Sequence, residues 1–435
     1  MTDLLAARGQ MAISLGFHIL FAVAGMAMPL LMVIAQWRFT KTGDPVDEQL
    51  ARRWAKGTAI LFAVGAVSGT VLSFELGLLW PDFMRFAGPL VGMPFSLEGF
   101  AFFLEAICLG LYLYGRGRLS PRMHLAAGIG VAISGLASAV FVTAVNGWMN
   151  DPTGFVAEHG KVVSIRPWEA MNNPAWPYEA VHMALAAYVA VGFAVMGIHA
   201  HRLRRRPDDA FHRRAFTYAL GMVIVATPLQ IFSGDLSAKY VADRQPEKLA
   251  AAEGLFHTQK PAPLSIGGWP DEESGELKYA IEIPRGLSFL AHGDFDAEVT
   301  GLDQIPRDEW PPVAVVHVAF QIMVGCGFTM LAFGGLGALL WWRRKRSPAD
   351  HPAYVRWAPW VAPLGLLAIE AGWTVTEVGR QPWIIRGVMK TSEAVTPMPG
   401  LTVPLITFTA LYVVLGVVVV VLLKNHVIAA ERERR

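Results

Sequence analysis

The chain has 435 residues, of which 54% are hydrophobic and only 17% are charged, and its formal net charge is +2. Its mean hydropathy of +0.40 and several apolar runs longer than the ~18 residues that cross a bilayer exclude an ordinary soluble domain. The sequence contains no phosphate-binding glycine loop and no nucleic-acid-binding patch. The composition therefore predicts an integral membrane protein.

Apolar runs bounded by charged residues or Pro/Gly clusters predict nine transmembrane helices, and hence an all-α polytopic membrane protein. No small-residue cleavage site follows the first run, so it is predicted to be a retained helix and not a signal peptide. The predicted spans are residues 11–36, 57–78, 96–114, 123–146, 179–200, 214–233, 313–342, 358–378 and 402–424.

Connections that contain many Lys and Arg residues alternate along the chain with connections that contain few. By the positive-inside rule, this pattern predicts that the odd-numbered connections and the C-terminus are cytoplasmic and that the N-terminus lies outside. The basic residues on the predicted cytoplasmic side are Arg38, Lys41, Arg52, Arg53, Lys56, Arg116, Arg118, Arg122, Arg202, Arg204, Arg205, Arg206, Arg213, Arg343, Arg344, Lys345, Arg346, Arg432, Arg434 and Arg435.

One connection is much longer than the others. Residues 235–312 are predicted to form an extracytoplasmic loop between helices 6 and 7, rich in Pro, Gly and acidic residues, with short strand-like pieces such as LKYAIEI at 277–283. A loop of this length is usually functional or disordered. The loop divides the chain into residues 1–234 with helices 1–6, the loop itself, and residues 313–435 with helices 7–9.

Several polar residues interrupt the apolar runs, and the predicted topology places them in one layer toward the outside. Ionisable residues are costly inside a membrane, so such residues are candidates for function. They are His18, Glu98, Glu105, His182, His317, Met323, Glu377 and Arg380.

The residue types in this layer include metal ligands. Taken singly, a membrane histidine usually bonds a neighbouring helix and a methionine usually fills a gap in the core. His182 and Met323 together offer the imidazole and thioether that suit a low-spin haem iron. His317 lies on the same predicted helix as Met323, and the pattern alone does not choose between them.

Carboxylates recur at helical spacing. Glu98 and Glu105 are seven residues apart and share a helix face, and Trp373, Glu377 and Arg380 share another. A glutamate beside an arginine is compatible with a structural ion pair. Two further aligned carboxylates favour a proton relay or an anionic site beside a metal. The pattern predicts a membrane redox or proton-coupled protein.

Two haem protein classes do not fit. No two spans supply the paired histidines that hold two stacked haems in cytochrome b of quinol–cytochrome c reductases. A haem–copper oxidase needs about six buried histidines, more than the three in the predicted outer layer, which are His18, His182 and His317, so copper is not expected.

Short motifs along the whole chain resemble subunit I of cytochrome bd-type quinol oxidases. The long loop lacks the C-terminal extension of the long-loop forms, so the resemblance is to the short quinol-loop type. The motifs, in the family's order, are EGFAFFLE (98–105), NGWMNDP (146–152), EAVHMALAAY (179–188), QPEKLAAAE (245–253), QIMVGCGF (321–328) and GRQPW (379–383), the last preceded by Glu377.

The resemblance implies a set of haem ligands. His18 would ligate the iron of one high-spin haem and Glu377 that of the other, forming the oxygen-reducing pair. His182 and Met323 would ligate the low-spin haem b, which decides against His317. The two high-spin haems would be haem b with haem d, or a second b-type haem.

The resemblance also implies roles for the other polar residues. Quinol would bind beside Lys248 and Glu253 in the loop. Glu98 and Glu105 would carry protons to the oxygen site or border it, and Arg380 and Trp373 would support the haem pair. One residue departs from the family: where members often have arginine two residues before the methionine ligand, this chain has Gln321. Without that positive charge, the reduction potential of the low-spin haem is expected to be lower.

The function implied is that of a terminal respiratory oxidase. It would oxidise quinol at the outer face and reduce O2 to water with cytoplasmic protons, generating a proton motive force without pumping. Subunit II would be its partner in a heterodimer, a small single-helix subunit could join them, and the complex would lie in the lipid bilayer of a bacterial or archaeal cytoplasmic (inner) membrane.

Two other functions remain open from the residues. A paralogous membrane b-type cytochrome would exchange electrons with quinone without reducing O2, and oxygen uptake with quinol distinguishes it. A proton-coupled secondary transporter would use the carboxylates as a path and bind no haem.

Overall fold

The computed structural model describes residues 2–158, 161–344 and 347–428. Within these ranges, nine helices are long and apolar enough to cross a membrane, which confirms the predicted all-α architecture with nine spans. Part of the charge pattern used for orientation lies outside the described residues, namely Lys345, Arg346, Arg432, Arg434 and Arg435.

Fourteen α-helices occur in the described ranges, together with short 3-10 turns at Leu302–Gln304, Arg307–Glu309 and Pro348–Asp350 and a π turn at Lys424–Ile428. The helices are α1 (Asp3–Thr42), α2 (Pro45–Leu79), α3 (Pro81–Tyr114), α4 (Pro121–Asn150), α5 (Pro167–Met171), α6 (Trp176–Leu203), α7 (Ala210–Arg244), α8 (Pro246–Glu253), α9 (Gly286–His292), α10 (Val313–Arg344), α11 (Pro352–Val361), α12 (Leu364–Val378), α13 (Thr391–Ala394) and α14 (Thr402–Leu423).

The strands are short and, in the described ranges, form four antiparallel two-stranded sheets: β1 with β2, β3 with β6, β4 with β5, and β7 with β8. They are β1 (Phe155–Glu158), β2 (Lys161–Ile165), β3 (Leu264–Ile266), β4 (Trp269–Asp271), β5 (Glu276–Lys278), β6 (Ile281–Ile283), β7 (Trp383–Ile385) and β8 (Met389–Lys390).

Local sequence explains where the long helices begin. The Asp44 and Ser120 side chains accept hydrogen bonds from the first turns of α2 and α4, and a proline follows each of them. Proline is favoured there because its missing N–H would be unpaired in a first turn anyway. Small residues then bring helices together: a Cβ at Gly365 of α12 would lie 2.5 Å from Ala190 Cα of α6.

Several helices extend beyond the predicted spans: α1 begins at Asp3 and not at 11, α2 at Pro45 and not at 57, and α3 at Pro81 and not at 96. α7 continues to Arg244, through residues assigned to the long loop, because the polar residues that end the apolar run still favour helix. The Lys239 ammonium lies 2.7 Å from the Asp235 carboxylate one turn earlier. The eighth span consists of α11 and α12, which meet next to Pro363.

The rest of the long connection is folded onto the helices. Leu249, Phe256, Leu287, Val299 and Leu302 form a buried apolar cluster of their own. The strand-like piece at 277–283 contains the end of β5 and the whole of β6, separated by a turn. This folded loop packs on α7 and α10, and its helix α8 contacts both of them.

Candidate functional site

His18 is held in one orientation by the neighbouring helix. Its Nδ1 lies 3.0 Å from Ser68 Oγ, and the Ser68 hydroxyl also lies 2.9 Å from its own helix carbonyl at Val64. The carbonyl can only accept, so the hydroxyl hydrogen points to it and Oγ accepts the hydrogen of Nδ1. This leaves the lone pair on Nε2, the atom that a metal would use.

His182 has the same arrangement on α6 and α7. Its Nδ1 lies 3.0 Å from Ser233 Oγ, and Ser233 bonds back to the carbonyl of Gln230 at 2.9 Å. The Gln230 amide nitrogen lies 3.0 Å from His182 Nε2 and donates to its lone pair. A Cβ at Gly234 would lie 3.3 Å from His182 Cε1, so the ring rests against the α7 backbone.

Glycines also adjoin the other neutral ligand candidates. A Cβ at Gly69 would lie 3.0 Å from His18 Cε1, and one at Gly372 would lie 3.0 Å from Met323 Sδ. Each candidate therefore packs where the adjacent helix has no side chain. The Trp373 indole donates to Met183 Sδ at 3.3 Å, next to His182 in the chain.

Glu377 uses both carboxylate oxygens. Asn146 donates to Oε1, and Arg380 Nη2 donates to Oε2 at 2.6 Å. The Arg380 side chain is only 2% exposed, and its Nε and Nη1 atoms have no hydrogen-bond partner among the described residues. A buried guanidinium with two unpaired nitrogens is costly, so this position fits a group that brings an anionic oxygen.

A chain of hydrogen bonds connects Glu377 to the folded loop. Asn146, which donates to Glu377, accepts from Asn150 Nδ2 at 3.0 Å, and Asn150 Nδ2 is also 3.1 Å from Glu179 Oε1. Lys248 Nζ on α8 lies 2.6 Å from Asn150 Oδ1. The two asparagines thus join the candidate quinol residue to the candidate haem ligand.

Lys248 and Glu253 are both buried on α8. Burial lowers the pKa of Lys248 and raises the pKa of Glu253 to about 8. Glu253 Oε2 has no hydrogen-bond partner within the described ranges. A carboxyl group of this kind can exchange a proton near neutral pH.

Glu105 lies between α1, α3 and α4. It is buried, and a Cβ at Gly135 would lie 3.1 Å from its Oε1, which also adjoins Gly25. That oxygen has no hydrogen-bond partner in the described part of the chain. Glu98 is half-buried on the same helix. Neither residue joins the hydrogen-bonded group of Glu377 in the described ranges.

His317 is fully buried, and both ring nitrogens face backbone carbonyls. Nδ1 lies 2.8 Å from Ala252 O and Nε2 lies 3.0 Å from Gly267 O. In this arrangement neither nitrogen directs a lone pair at a metal.

Several site residues were not identified from the sequence. They are Ser68, Ser233, Gln230, Asn146, Asn150, Glu179 and Glu370. Asn146 and Asn150 lie one helical turn apart in the NGWMNDP motif, and Glu179 is the first residue of the motif that contains His182. Polar residues at these places in or beside apolar runs were the sequence feature that could have identified them. Glu370 lies against α1, where a Cβ at Gly16 would be 3.0 Å from its Oε2.

These residues fit haem. Imidazole and thioether are haem-iron ligands, the lone pair of His18 lies on Nε2, and the nitrogens of Arg380 that are unpaired among the described residues suit the carboxylates that haem carries. The fold and the site together define a multi-pass helical membrane protein with a haem-type ligand set.

Comparisons with known proteins agree with this class. Residues 6–430 match the model of the family described as cytochrome bd terminal oxidase subunit I. A putative cytochrome bd menaquinol oxidase subunit I from Bacillus subtilis (strain 168) is 39% identical over 97% of this chain and 96% of its own length. Cytochrome bd ubiquinol oxidase subunit 1 of the same organism is 30% identical over 97% and 93%.

A solved structure is similar as well. A chain of the bd oxidase from Geobacillus thermodenitrificans superposes with a TM-score of 0.92 at 40% identity, covering 98% of both chains. The chain therefore belongs to the cytochrome bd terminal oxidase subunit I family, whose members are catalytic subunits of haem-containing quinol oxidases.

Proposed function

We propose that the chain is the haem-bearing subunit of a terminal respiratory oxidase that oxidises quinol at the outer face and reduces O2 to water with cytoplasmic protons. The observation that carries this proposal is the hydrogen-bonded path from Lys248 through Asn150 and Asn146 to Glu377. It joins the buried Lys248 on the loop to a partly buried carboxylate held by arginine. Relatives named as menaquinol and ubiquinol oxidases support the substrate class.

The ligand assignment follows the side chains just described. His182 and Met323 hold a low-spin haem b, His18 holds one high-spin haem, and Glu377 holds the other. The high-spin pair is haem b with haem d, or two b-type haems, and the site takes no copper. When bound, the haems supply electron transfer and the reduction of O2.

On the quinol side, Glu253 and Lys248 act on the hydroxyl groups. The carboxylate of Glu253 takes up a proton that quinol releases, for which a pKa of about 8 is well matched. The Lys248 ammonium donates toward the substrate oxygen while Asn150 fixes its direction. Protons leave to the outside from here.

On the oxygen side, some residues carry protons and others offset the charge of Glu377. Glu105 carries an unpaired carboxyl oxygen between three helices, and with Glu98 it passes protons inward from the cytoplasm. Arg380 offsets the charge of Glu377 and, with Trp373, keeps the haem pair in place. Because protons are released on one side and consumed from the other, charge separates across the membrane without pumping.

The same proposal includes the membrane location and the partner subunits. The subunit lies in a bacterial or archaeal cytoplasmic membrane with its N-terminus outside, pairs with subunit II, and accommodates a small single-helix subunit. Exposed apolar side chains on α2, α3 and α14, such as Phe74, Phe103 and Val417, provide surfaces for lipid and for partners.

A reduced-minus-oxidised absorption spectrum of the purified complex, with quinol-driven oxygen uptake on the same sample, tests the function. Haem bands with oxygen uptake are expected, and a red-shifted chlorin band would identify haem d. Haem bands without oxygen uptake would make the protein a paralogous cytochrome. A sample without any haem would contradict the redox function and favour a transporter.

A further inference from the structure

Helix α10 directs two polar side chains, one turn apart, toward the folded loop. His317 lies between two separate loop segments, with Nδ1 2.8 Å from Ala252 O and Nε2 3.0 Å from Gly267 O. Ala252 is in the last turn of α8, and Gly267 follows β3. One buried side chain therefore connects both segments to the same helix.

Gln321 binds the second of these segments through both ends of its amide. Its Oε1 accepts from the Gly267 backbone N–H at 3.0 Å, and its Nε2 donates to Ser265 O at 3.1 Å. A primary amide offers the donor and acceptor that this backbone requires. An arginine offers donors only, so it cannot reproduce the bond to the Gly267 N–H.

The loop backbone fits closely around this pair. Gly254 has a φ of +66°, and a Cβ there would lie 3.3 Å from His317 Nδ1 and 3.0 Å from Leu277 Cδ1. Gly267 has a φ of +68°. Both positions favour glycine, because other residues rarely adopt this backbone conformation. The contact of His317 and Gln321 with the loop is thus a close-fitting interface, and it positions the loop residues next to Gly254 and Gly267.

The residues ordered in this way include the candidate quinol residues. Ala252 immediately precedes Glu253 and lies one turn beyond Lys248 on α8. Met323, the candidate ligand of the low-spin haem, is two residues beyond Gln321. His317 therefore holds α8 directly against the helix that carries Met323, and Gln321 holds the β3 turn against the same helix.

We propose that His317 and Gln321 are positioning residues of the quinol site, which hold α8 and the β3 turn against α10 so that Lys248 and Glu253 face the substrate. This inference rests on the proposed quinol oxidation at α8. Gln321 then has a role other than tuning the reduction potential of the low-spin haem, because its amide hydrogen-bonds the loop backbone. Its lack of charge, which affects that potential, is a separate property.

The first test is Gln321→Leu in the complete complex. Loss of the two hydrogen bonds is expected to raise the KM for quinol about tenfold, with kcat nearly unchanged. The spectrum and midpoint potential of the low-spin haem should stay as in the wild type, because leucine and glutamine are both neutral. An unchanged KM, or a changed potential at unchanged KM, would overturn the proposal.

Gln321→Arg separates position from charge. Arginine keeps the donor to Ser265 O but leaves the Gly267 N–H unpaired, so KM should rise less than in Gln321→Leu. The added charge should raise the midpoint potential of the low-spin haem. Wild-type KM in this variant together with a higher potential would show that residue 321 acts on the haem and not on the loop.

Hydrogen exchange provides a readout that does not depend on turnover. The Gly267 amide should exchange faster in Gln321→Leu than in the wild type, whereas Thr329→Val should leave it unchanged. Thr329 is on the same helix, and in the described ranges its hydroxyl bonds its own helix alone, at Gly325 O. Equal exchange in all three proteins would overturn the inference, whereas faster exchange in a complex that does not oxidise quinol would overturn only the proposed function.

Discussion

The ammonium of Lys248 lies 2.6 Å from Asn150 Oδ1 and so joins the folded loop to transmembrane helix α4. Asn150 in turn donates to Asn146, and Asn146 donates to Glu377. Residues far apart in the chain thus form one polar path through a largely apolar interior. The path gives the loop a direct physical connection to the helix that carries the arginine-held carboxylate.

Replacing Asn150 by leucine should interrupt this path. The variant leaves the buried Lys248 ammonium without its acceptor, which costs about 1–3 kcal/mol or more for a charged group. We expect quinol oxidation to fall at least about tenfold while the haem spectrum is retained. Oxygen uptake and absorption spectra on one preparation measure both. Asn172→Leu is the control, because Asn172 is exposed and its side chain, among the described residues, bonds a neighbouring backbone carbonyl alone.

Glu253 should give quinol oxidation a characteristic pH dependence. Burial raises its pKa from 4.5 to about 8, so the carboxyl is mostly protonated at neutral pH and becomes an effective base only as pH rises. The kcat/KM for quinol should therefore increase through about pH 8 and then level off. In Glu253→Gln, activity should be low and this increase should be absent.

The same carboxyl affects stability with the opposite sign. Between 4.5 and about 8 the folded protein binds this proton more tightly than the unfolded chain does, so the free energy of unfolding decreases as pH rises through that window. Thermal unfolding at several pH values measures the effect, and Glu253→Gln should reduce it. An identical pH dependence of stability in the variant and the wild type would show that Glu253 does not titrate in this range.

Ser68 and Ser233 should each affect one haem. Removing the acceptor of a ligand histidine's Nδ1–H frees the ring and typically costs 10–100-fold in metal affinity. Ser233→Ala is therefore expected to weaken binding of the low-spin haem assigned to His182, and Ser68→Ala to weaken binding of the high-spin haem assigned to His18. Haem titration followed by absorption spectroscopy measures each site.

Ser237→Ala is the matched control for these variants, because Ser237 is one turn from Ser233 and, within the described part of the chain, its hydroxyl bonds its own helix alone. Its haem affinities should equal those of the wild type. If Ser233→Ala bound the low-spin haem as tightly as Ser237→Ala, the assignment of His182 as its ligand would lose its structural support.

The architecture was largely predictable because lipid imposes a simple pattern. The nine predicted apolar runs correspond to nine membrane-spanning helices among the described residues, since a helix pairs its own backbone groups in hydrocarbon. Helix ends were less predictable. α7 extends to Arg244 because a polar i,i+4 pair continues the helix after the apolar run has ended.

Contacts between residues that are far apart in the chain could not be predicted from the sequence. Residue type marked His18, His182 and Glu377 as candidates, yet Lys248 and Asn150 meet across 98 positions, and no local pattern encodes that contact. His317 illustrates the same limit: as a histidine it was a plausible metal ligand, and only its two carbonyl partners reveal its contact with the loop.

The most direct test of the account is the haem content and turnover of a purified Glu377→Ala complex. Glu377 is the carboxylate on which the polar path and Arg380 converge. We expect the variant to lose one high-spin haem, seen in pigment analysis and in the reduced-minus-oxidised spectrum, and to lose quinol-driven oxygen uptake. A variant with every haem in place and normal oxygen uptake would contradict the central claim.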